Sequence, residues 1–181
     1  MNEEQQTVSV TTSGNHEPLN FLVGSWFLYD SFRYCTQPRR LGNHLSREDE
    51  WMHYATGAVV CKIRMIERIV TFPFAKQSPG YVEGDHLATR DVLIQMSEYG
   101  YVLHAVCHSH PGRGAGATHP SGIDISHQER LERGGYPVVS CIYSRDGFAR
   151  FFTVGVPFEI EVYGQGVEHC GENIFHLTES R

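Results

Sequence analysis

The sequence predicts one domain of the α/β (α+β) class, in which a central mixed β-sheet is flanked by helices. Segments whose apolar residues recur with strand period alternate along the chain with two or three segments of helical character. The 181 residues are 40% hydrophobic, which is enough for a sizeable core in a domain of this length. The chain carries no internal repeat, which argues against a solenoid or a propeller.

The first seventeen residues are predicted to form a disordered tail, and residues 18–181 a single domain. The tail is polar and acidic, whereas a secretory signal needs a positive flank and an apolar run. No stretch of the sequence reaches the roughly eighteen continuous apolar residues that a membrane span requires. We therefore expect a soluble protein.

The N-terminal half contains one ambiguous segment and one clear β region. Residues 19–34 are rich in aromatic side chains and fit either a strand or the start of a helix. Residues 36–49 predict a loop or a short helix. Between residues 58 and 74, apolar side chains alternate with polar ones, as at Cys61 and Ile63, which predicts one or two strands.

A helix and a strand are predicted in the middle of the chain. Asp85 is placed to cap a helix whose apolar residues follow helical spacing up to Met96, and Gly100 is placed to end it. Residues 101–107 then predict a short, mostly buried strand. His108 and His110 follow at the end of this strand.

The C-terminal half predicts a second helix and a further set of strands. Residues 121–133 form the helix, which Gly134 and Gly135 close. The strands are a hairpin formed by residues 137–143 and 148–154, and two segments at residues 158–163 and 173–178.

The charge and the cysteines restrict the function. A formal charge of -6 and a pI near 6.0 argue against binding to nucleic acid or to a membrane surface. The five cysteines are odd in number and scattered, and three lie in apolar runs typical of buried strands. We therefore predict structural thiols rather than disulfides, and a reducing cytoplasm as the location.

The segment between residues 107 and 128, CHSHPGRGAGATHPSGIDISHQ, carries the chemistry. Residues two apart on a strand point to the same face, so His108 and His110 can converge on one cation. Asp124, on the next element, can complete a set of three ligands. Three protein ligands leave one position for water, which is typical of a catalytic zinc site.

Each half of this pattern also has an ordinary structural interpretation. A lone H-x-H is weak, because histidines on strands are often exposed or hydrogen-bonded, and this chain has eleven histidines. Ser121-Gly122-Ile123-Asp124 matches a capping box, which does no more than start a helix. The specific signal is the combination of His-Ser-His-Pro-Gly at a strand end with a capped helix that carries a carboxylate.

These residues resemble the JAMM zinc metallopeptidases on the MPN fold, a family that includes deubiquitinases and their bacterial relatives. The family signature is an upstream glutamate, then H-x-H-P, then S-x-x-D. This chain supplies His108-Ser109-His110-Pro111 and Ser121-Gly122-Ile123-Asp124. The resemblance covers roughly residues 48–153 and implies an MPN/JAMM-like fold.

The upstream glutamate is assigned to Glu50, because Glu50 and Gly57 reproduce the family's spacing between a strand-opening glutamate and a glycine. Glu48 and Glu67 remain alternatives. Thirteen residues separate His110 from Asp124, which is longer than the usual loop of the family. The extra residues are expected to bulge, and whether His119 approaches the metal stays open.

The resemblance implies a mechanism. Zn²⁺ held by His108, His110 and Asp124 activates a water molecule, and Glu50 takes its proton and passes it to the leaving amine. Ser121 donates a hydrogen bond to the oxyanion.

The resemblance also implies a substrate, a ubiquitin-like protein cut after its C-terminal diglycine, either from a conjugate or from a precursor. The tail is expected to bind in extended form beside an exposed strand. The implied setting is a bacterial operon for ubiquitin-like conjugation or antiviral defence, with activating and conjugating enzymes as partners. Two alternatives stay open: a non-catalytic MPN scaffold, and a JAMM hydrolase that acts on sulfur-carrier proteins.

Overall fold

The structure, a computed structural model, describes residues 17–41, 44–46 and 48–178. The predicted disordered tail therefore lies outside the described residues, except for Glu17. Within the described ranges the chain forms three α-helices, one 3-10 helix and fifteen strands. The predicted α/β (α+β) class is confirmed.

The helices are α1 (Ser25–Thr36), α2 (His86–Glu98) and α3 (Gly122–Arg133), with a 3-10 helix at Ala115–Thr118. The strands, in chain order, are β1 (Leu19–Gly24), β2 (Arg39–Leu41), β3 (His44–Ser46), β4 (Met52–Thr56), β5 (Val59–Val60), β6 (Ile63–Ile66), β7 (Arg68–Val70), β8 (Phe74–Ser78), β9 (Tyr81–Gly84), β10 (Ala105–Ser109), β11 (Val139–Tyr143), β12 (Phe148–Phe152), β13 (Phe158–Tyr163), β14 (Val167–Gly171) and β15 (Ile174–Leu177).

A mixed sheet forms the centre of the described part of the chain. Its seven strands have the order β14-β15-β12-β11-β10-β4-β7, in which β10 and β11 are parallel and the other neighbours are antiparallel. A smaller sheet has the order β13-β1-β6-β5, and β2–β3 and β8–β9 form separate hairpins. The prediction of a central mixed sheet flanked by helices is confirmed.

The two faces of the central sheet belong to different parts of the core. Cys107 and Cys141 pack with Phe27 of α1 on one face. Val106 packs with Met96 of α2 on the other. Because strand residues alternate between faces, His108 lies on the same face as Val106, away from α1.

Residues 19–34 contain both of the elements between which the sequence left a choice. β1 runs to Gly24, and α1 begins at Ser25. A Cβ atom at Gly24 would collide with the indole of Trp26 in its present position, so a larger residue here would displace that side chain.

The prediction of a loop or short helix at residues 36–49 is wrong, because this segment contains the β2–β3 hairpin. Its start is held by distant contacts, since Arg39 donates to the Gln77 carbonyl at 2.9 Å and to the Asp49 carboxylate at 3.2 Å. Contacts of this range are not visible in local sequence preference.

The strand predictions for residues 58–74 and 101–107 need correction. The first region contains three short strands and the beginning of β8. Cys61 and Lys62 form a turn with φ of 50° and 68°, so Cys61 is exposed and not part of a buried strand. The second strand, β10, begins only at Ala105 and already includes His108.

The remaining predicted elements are confirmed with shifts of a few residues. Asp85 caps α2 by accepting a hydrogen bond from the Ala88 amide at 2.9 Å, and Gly100 follows the helix with φ of 73°. α3, the β11–β12 hairpin, β13 and β15 also lie where the sequence predicts them. The strands β9 and β14 were not predicted.

Three cysteines, Cys35, Cys107 and Cys141, are buried, whereas Cys61 and Cys170 are exposed, and all five are free thiols. Among the described residues, no helix has both the length and the apolar character needed to cross a membrane.

A buried histidine on the α1 face makes the fold sensitive to pH. His53 Nδ1 donates to the Tyr54 carbonyl at 2.8 Å, so Nε2 accepts from the Ser31 hydroxyl at 2.7 Å. Burial lowers the pKa of His53 to about 4. In the unfolded chain a histidine has a pKa of about 6.5.

We predict that the metal-free protein loses about 2 kcal/mol of its free energy of unfolding between pH 7 and pH 5 through His53. In this range the unfolded chain binds a proton that the folded chain excludes, so acid favours unfolding. Urea denaturation at both pH values measures the loss, and His53→Gln should show less of it. The exposed His86→Gln is the control, and an equal pH dependence in His53→Gln and the wild type would refute the assignment.

Candidate metal centre

The side chains of two histidines and one aspartate meet at the C-terminal end of β10. His108 lies in β10, His110 follows directly after it, and Asp124 is in the first turn of α3. His108 Nε2 lies 3.2 Å from His110 Nε2. The Asp124 carboxylate oxygens lie 3.0 Å from His108 Nε2 and 3.3 Å from His110 Nε2. This group could hold a metal ion.

The donor set fits a small divalent cation. His110 Nδ1 lies 2.9 Å from the Ala117 carbonyl, which only accepts, so the ring hydrogen is on Nδ1 and Nε2 of the neutral ring has a free lone pair. Tetrahedral bonds of about 2.0–2.1 Å separate ligand atoms by roughly 3.3 Å, close to the three distances observed. Two imidazole ligands favour a transition-metal ion such as zinc, copper, iron or nickel over calcium or magnesium.

Asp124 is oriented by the start of its own helix. Its carboxylate accepts a hydrogen bond from the Ser121 amide at 2.7 Å, and the Asp124 amide donates to the Ser121 hydroxyl at 3.3 Å. This is the capping box that the sequence predicts. The Asp124 side chain can therefore take part in the capping box and serve as a metal ligand at the same time.

The helix itself is fixed to the sheet by a buried glutamine. Gln128 Nε2 donates to the Val138 carbonyl at 3.0 Å, and the Ser140 hydroxyl donates to Gln128 Oε1 at 2.7 Å. Buried polar groups that are fully hydrogen-bonded specify one arrangement, because shifting the helix would leave them unpaired. Gln128 thus sets the height of Asp124 above the strand ends.

The long segment between His110 and Asp124 folds into the 3-10 helix. This turn presents the Ala117 carbonyl to His110, as the hydrogen bond above requires. Its start is held by Asp146, whose carboxylate accepts from the Gly114 amide at 2.8 and 2.9 Å. The expected bulge is therefore an ordered support for a ligand. His119 is exposed and does not line the cavity next to the three ligands.

A cavity of about 350 Å³ opens beside this group, and both predicted catalytic residues line it. Glu50, which lies just before β4, is 8% exposed. Burial raises the pKa of Glu50 to about 7, although His110 acts in the opposite direction. A carboxyl group with this pKa can both take up and release a proton near neutral pH.

The two alternative glutamates do not line the cavity. Glu48 is exposed, and the Glu67 carboxylate accepts from the Ala58 amide at 3.4 Å. Of the three candidates, Glu50 is the one that the fold places beside the histidines and Asp124.

The Ser121 hydroxyl lines the same cavity. Its oxygen accepts the hydrogen bond from the Asp124 amide, so its own hydrogen is available to a ligand. Ser121 can therefore cap the helix and donate to a bound group at the same time.

The charges of the site are strongly coupled. Burial alone would raise the pKa of Asp124, but hydrogen bonds from His108 and His110 hold it well below its usual range. Burial lowers the pKa of His110, but the hydrogen bond to Asp124 and the charge of Asp124 raise it by more, so the pKa of His110 lies above its usual value. In the metal-free protein, Asp124 thus stays ionised and attracts a positive charge, either a proton or a metal ion.

Sequence reasoning missed His127, which also lines the cavity. It lies one helical turn after Asp124, on the same face of α3, and burial lowers its pKa. The spacing of three residues from Asp124 was the available signal. A second cavity of about 300 Å³ adjoins the first and shares His127, Ile123 and Tyr81 with it.

Comparison with known proteins adds information on the fold. No family model and no curated protein matches the chain. Among solved structures, the solution structure of protein DSY2949 from Desulfitobacterium hafniense is similar, with a TM-score of 0.54 and 18% sequence identity. The match covers 80% of this chain and 94% of that chain. At this identity the likeness concerns the fold alone.

We predict that the metal-free protein binds one Zn²⁺ per chain, and that His108→Ala or Asp124→Asn weakens binding by more than about 100-fold, because the first removes a ligand and the second removes the negative charge of one. Calorimetric titration at pH 7 measures the affinity. His119→Ala is the matched control, since this histidine lies in the same segment but outside the cavity. Equal losses in His119→Ala and His108→Ala would contradict the assignment.

Proposed function

We propose that the protein is a zinc-dependent peptidase of the JAMM type that hydrolyses an amide bond. The observation that carries the proposal is the cavity in which a group of three metal-binding side chains lies beside Glu50, a buried carboxyl group with a pKa of about 7. A structural metal site needs no proton acceptor and no cavity, whereas hydrolysis needs both.

His108, His110 and Asp124 would hold the zinc ion. When bound there, zinc supplies Lewis acidity, which activates water at neutral pH and polarises the carbonyl group of the substrate. Its positive charge would also favour the ionised form of Glu50.

Glu50 is the proposed general base. Its carboxylate accepts a proton from the attacking water and then donates it to the leaving amine, so that one group serves both halves of the reaction. Glu50 is 8% exposed, so its carboxylate has little contact with bulk water. Ser121 donates its free hydroxyl hydrogen to the oxygen that becomes negative on the attacked carbonyl.

The shape of the cleft supports an extended polypeptide as substrate. The main cavity continues into the second one between α3 and the β8–β9 hairpin, so the cleft is longer than the space around a single residue. Within the described residues, β9 pairs only with β8, which leaves the other edge of β9 beside the cavity that Tyr81 and Val82 line. Such an edge can bind an extended chain through main-chain hydrogen bonds.

The particular substrate is inferred from the family resemblance. We propose the diglycine-ended tail of a ubiquitin-like protein, released from a conjugate or processed from a precursor in the cytoplasm. The activating and conjugating enzymes of a bacterial conjugation or defence operon are the proposed partners. Sulfur-carrier proteins, which also end in diglycine, are the second candidate substrate.

We predict that Glu50→Gln lowers kcat by about 10²- to 10⁴-fold while zinc stays bound, because the amide has the size of the carboxylate but cannot accept the proton. Linear fusions that carry different diglycine-ended modifiers, with and without a chelator, provide the assay. Glu48→Gln is the matched control and should keep its activity.

Full activity in Glu50→Gln would refute the assignment of the base. A wild-type protein that binds zinc but cuts no fusion would instead favour the scaffold alternative. The pattern of fusions that are cut separates a ubiquitin-like modifier from a sulfur carrier.

A further inference from the structure

Arg145 connects the two halves of the site. It lies in the turn between β11 and β12, and its Nη2 donates a 2.6 Å hydrogen bond to the Asp49 carbonyl, 96 residues earlier in the chain. Its main-chain amide donates to the Gly112 carbonyl at 2.9 Å. One residue therefore contacts both the segment that carries Glu50 and the segment that follows His110.

The turn around Arg145 is a fixed support for the metal-binding segment. The His110 amide donates to the Tyr143 carbonyl at 2.9 Å, and the Gly114 amide donates to the Asp146 carboxylate. Together with the bond to Gly112, this turn holds the segment at three places. Tyr143 also ends β11, which pairs directly with the strand of His108, so the support is part of the central sheet.

Glu50 lies outside regular structure before β4 begins. Its neighbour Trp51 is bound to Ser109, since the Ser109 amide donates to the Trp51 carbonyl at 3.0 Å and the Trp51 amide donates to the Ser109 hydroxyl at 3.2 Å. The Glu50 amide donates to the Ser78 carbonyl at 3.0 Å, and the Glu50 carbonyl accepts from Gln77 Nε2 at 2.9 Å. Both of these partners belong to the separate β8–β9 hairpin. The bond from Arg145 to Asp49 adds a contact on the N-terminal side of Glu50, from this segment to the turn that supports His110.

Arg145 acts on the reaction through other residues. It is not among the residues that line the cavity. Its Nε and Nη1 are buried without a hydrogen-bond partner, so within the described residues the bond to Asp49 is the hydrogen bond its guanidinium makes. Its charge interacts with the carboxylates of Glu48, Glu50 and Asp49.

We propose that Arg145 is a positioning residue that, together with the hydrogen bonds between Trp51 and Ser109, holds the separation between Glu50 and the metal-binding segment. The expected effect of Arg145 on the reaction rate rests on the proposed peptidase function, whereas its role in holding the Glu50 segment in place does not. A base displaced by about 1 Å loses on the order of 10²-fold in rate, so a single tie of this kind has a measurable effect.

Two measurements on Arg145→Gln test the proposal. With a cleavable diglycine fusion, kcat should fall about 10- to 100-fold, while KM and zinc affinity change by less than about twofold. Arg145→Lys, which keeps the charge and one donor, should recover part of kcat. Arg68→Gln, at an exposed arginine stacked over Tyr101, is the control and should retain the wild-type kcat.

Hydrogen exchange gives a result that does not depend on activity. In Arg145→Gln, amide exchange should rise in residues 48–51 and stay unchanged in α2. Unchanged exchange in residues 48–51 overturns the proposal, and so does a rise that extends through α2, which would indicate general destabilisation. If the wild type cuts no substrate, the proposed peptidase function fails, and exchange alone then decides the role of Arg145.

Discussion

The structure depends on one electrostatic constraint: two imidazole nitrogens and a carboxylate point at the same small space. The Asp124 carboxylate and Nε2 of the neutral His110 ring are both acceptors and lie 3.3 Å apart, so they repel each other unless a proton or a metal ion lies between them. The hydrogen on His110 Nδ1 is committed to the Ala117 carbonyl, so the neutral ring offers a lone pair and not a hydrogen. A proton can relieve part of this repulsion, but a divalent cation satisfies all three groups together.

The fold meets this constraint with a strand, a helix and a parallel strand. β10, α3 and β11 follow each other in the chain, and β10 and β11 are parallel neighbours, so α3 returns the chain across the sheet. The ligands lie where β10 ends and α3 begins, outside the carboxyl end of a strand, where α/β proteins commonly bind ligands. Gln128 and the capping box then fix α3 and Asp124, so the order of the elements leads directly to the geometry of the site.

The sequence allowed the candidate metal ligands to be predicted because the relations that indicate them are local. A separation of two residues on a strand and a capping box at a helix start are short-range patterns, and they made His108, His110 and Asp124 candidates without knowledge of the rest of the fold. The assignment of Glu50 depended on the spacing between glutamate and glycine in the family that the sequence resembles. Arg145 could not be predicted in the same way, since its bond to the segment before Glu50 spans 96 residues. The prediction for residues 36–49 was wrong for the same reason, because distant contacts decide the conformation of the β2–β3 hairpin.

The X-ray absorption spectrum of the zinc-loaded protein tests the central claim most directly. The account predicts four nitrogen or oxygen ligands at about 2.0–2.1 Å, two of them imidazoles, with no sulfur. A sulfur shell at about 2.3 Å, or a spectrum with fewer than two imidazoles, would contradict it, because the cation would then be bound by other residues.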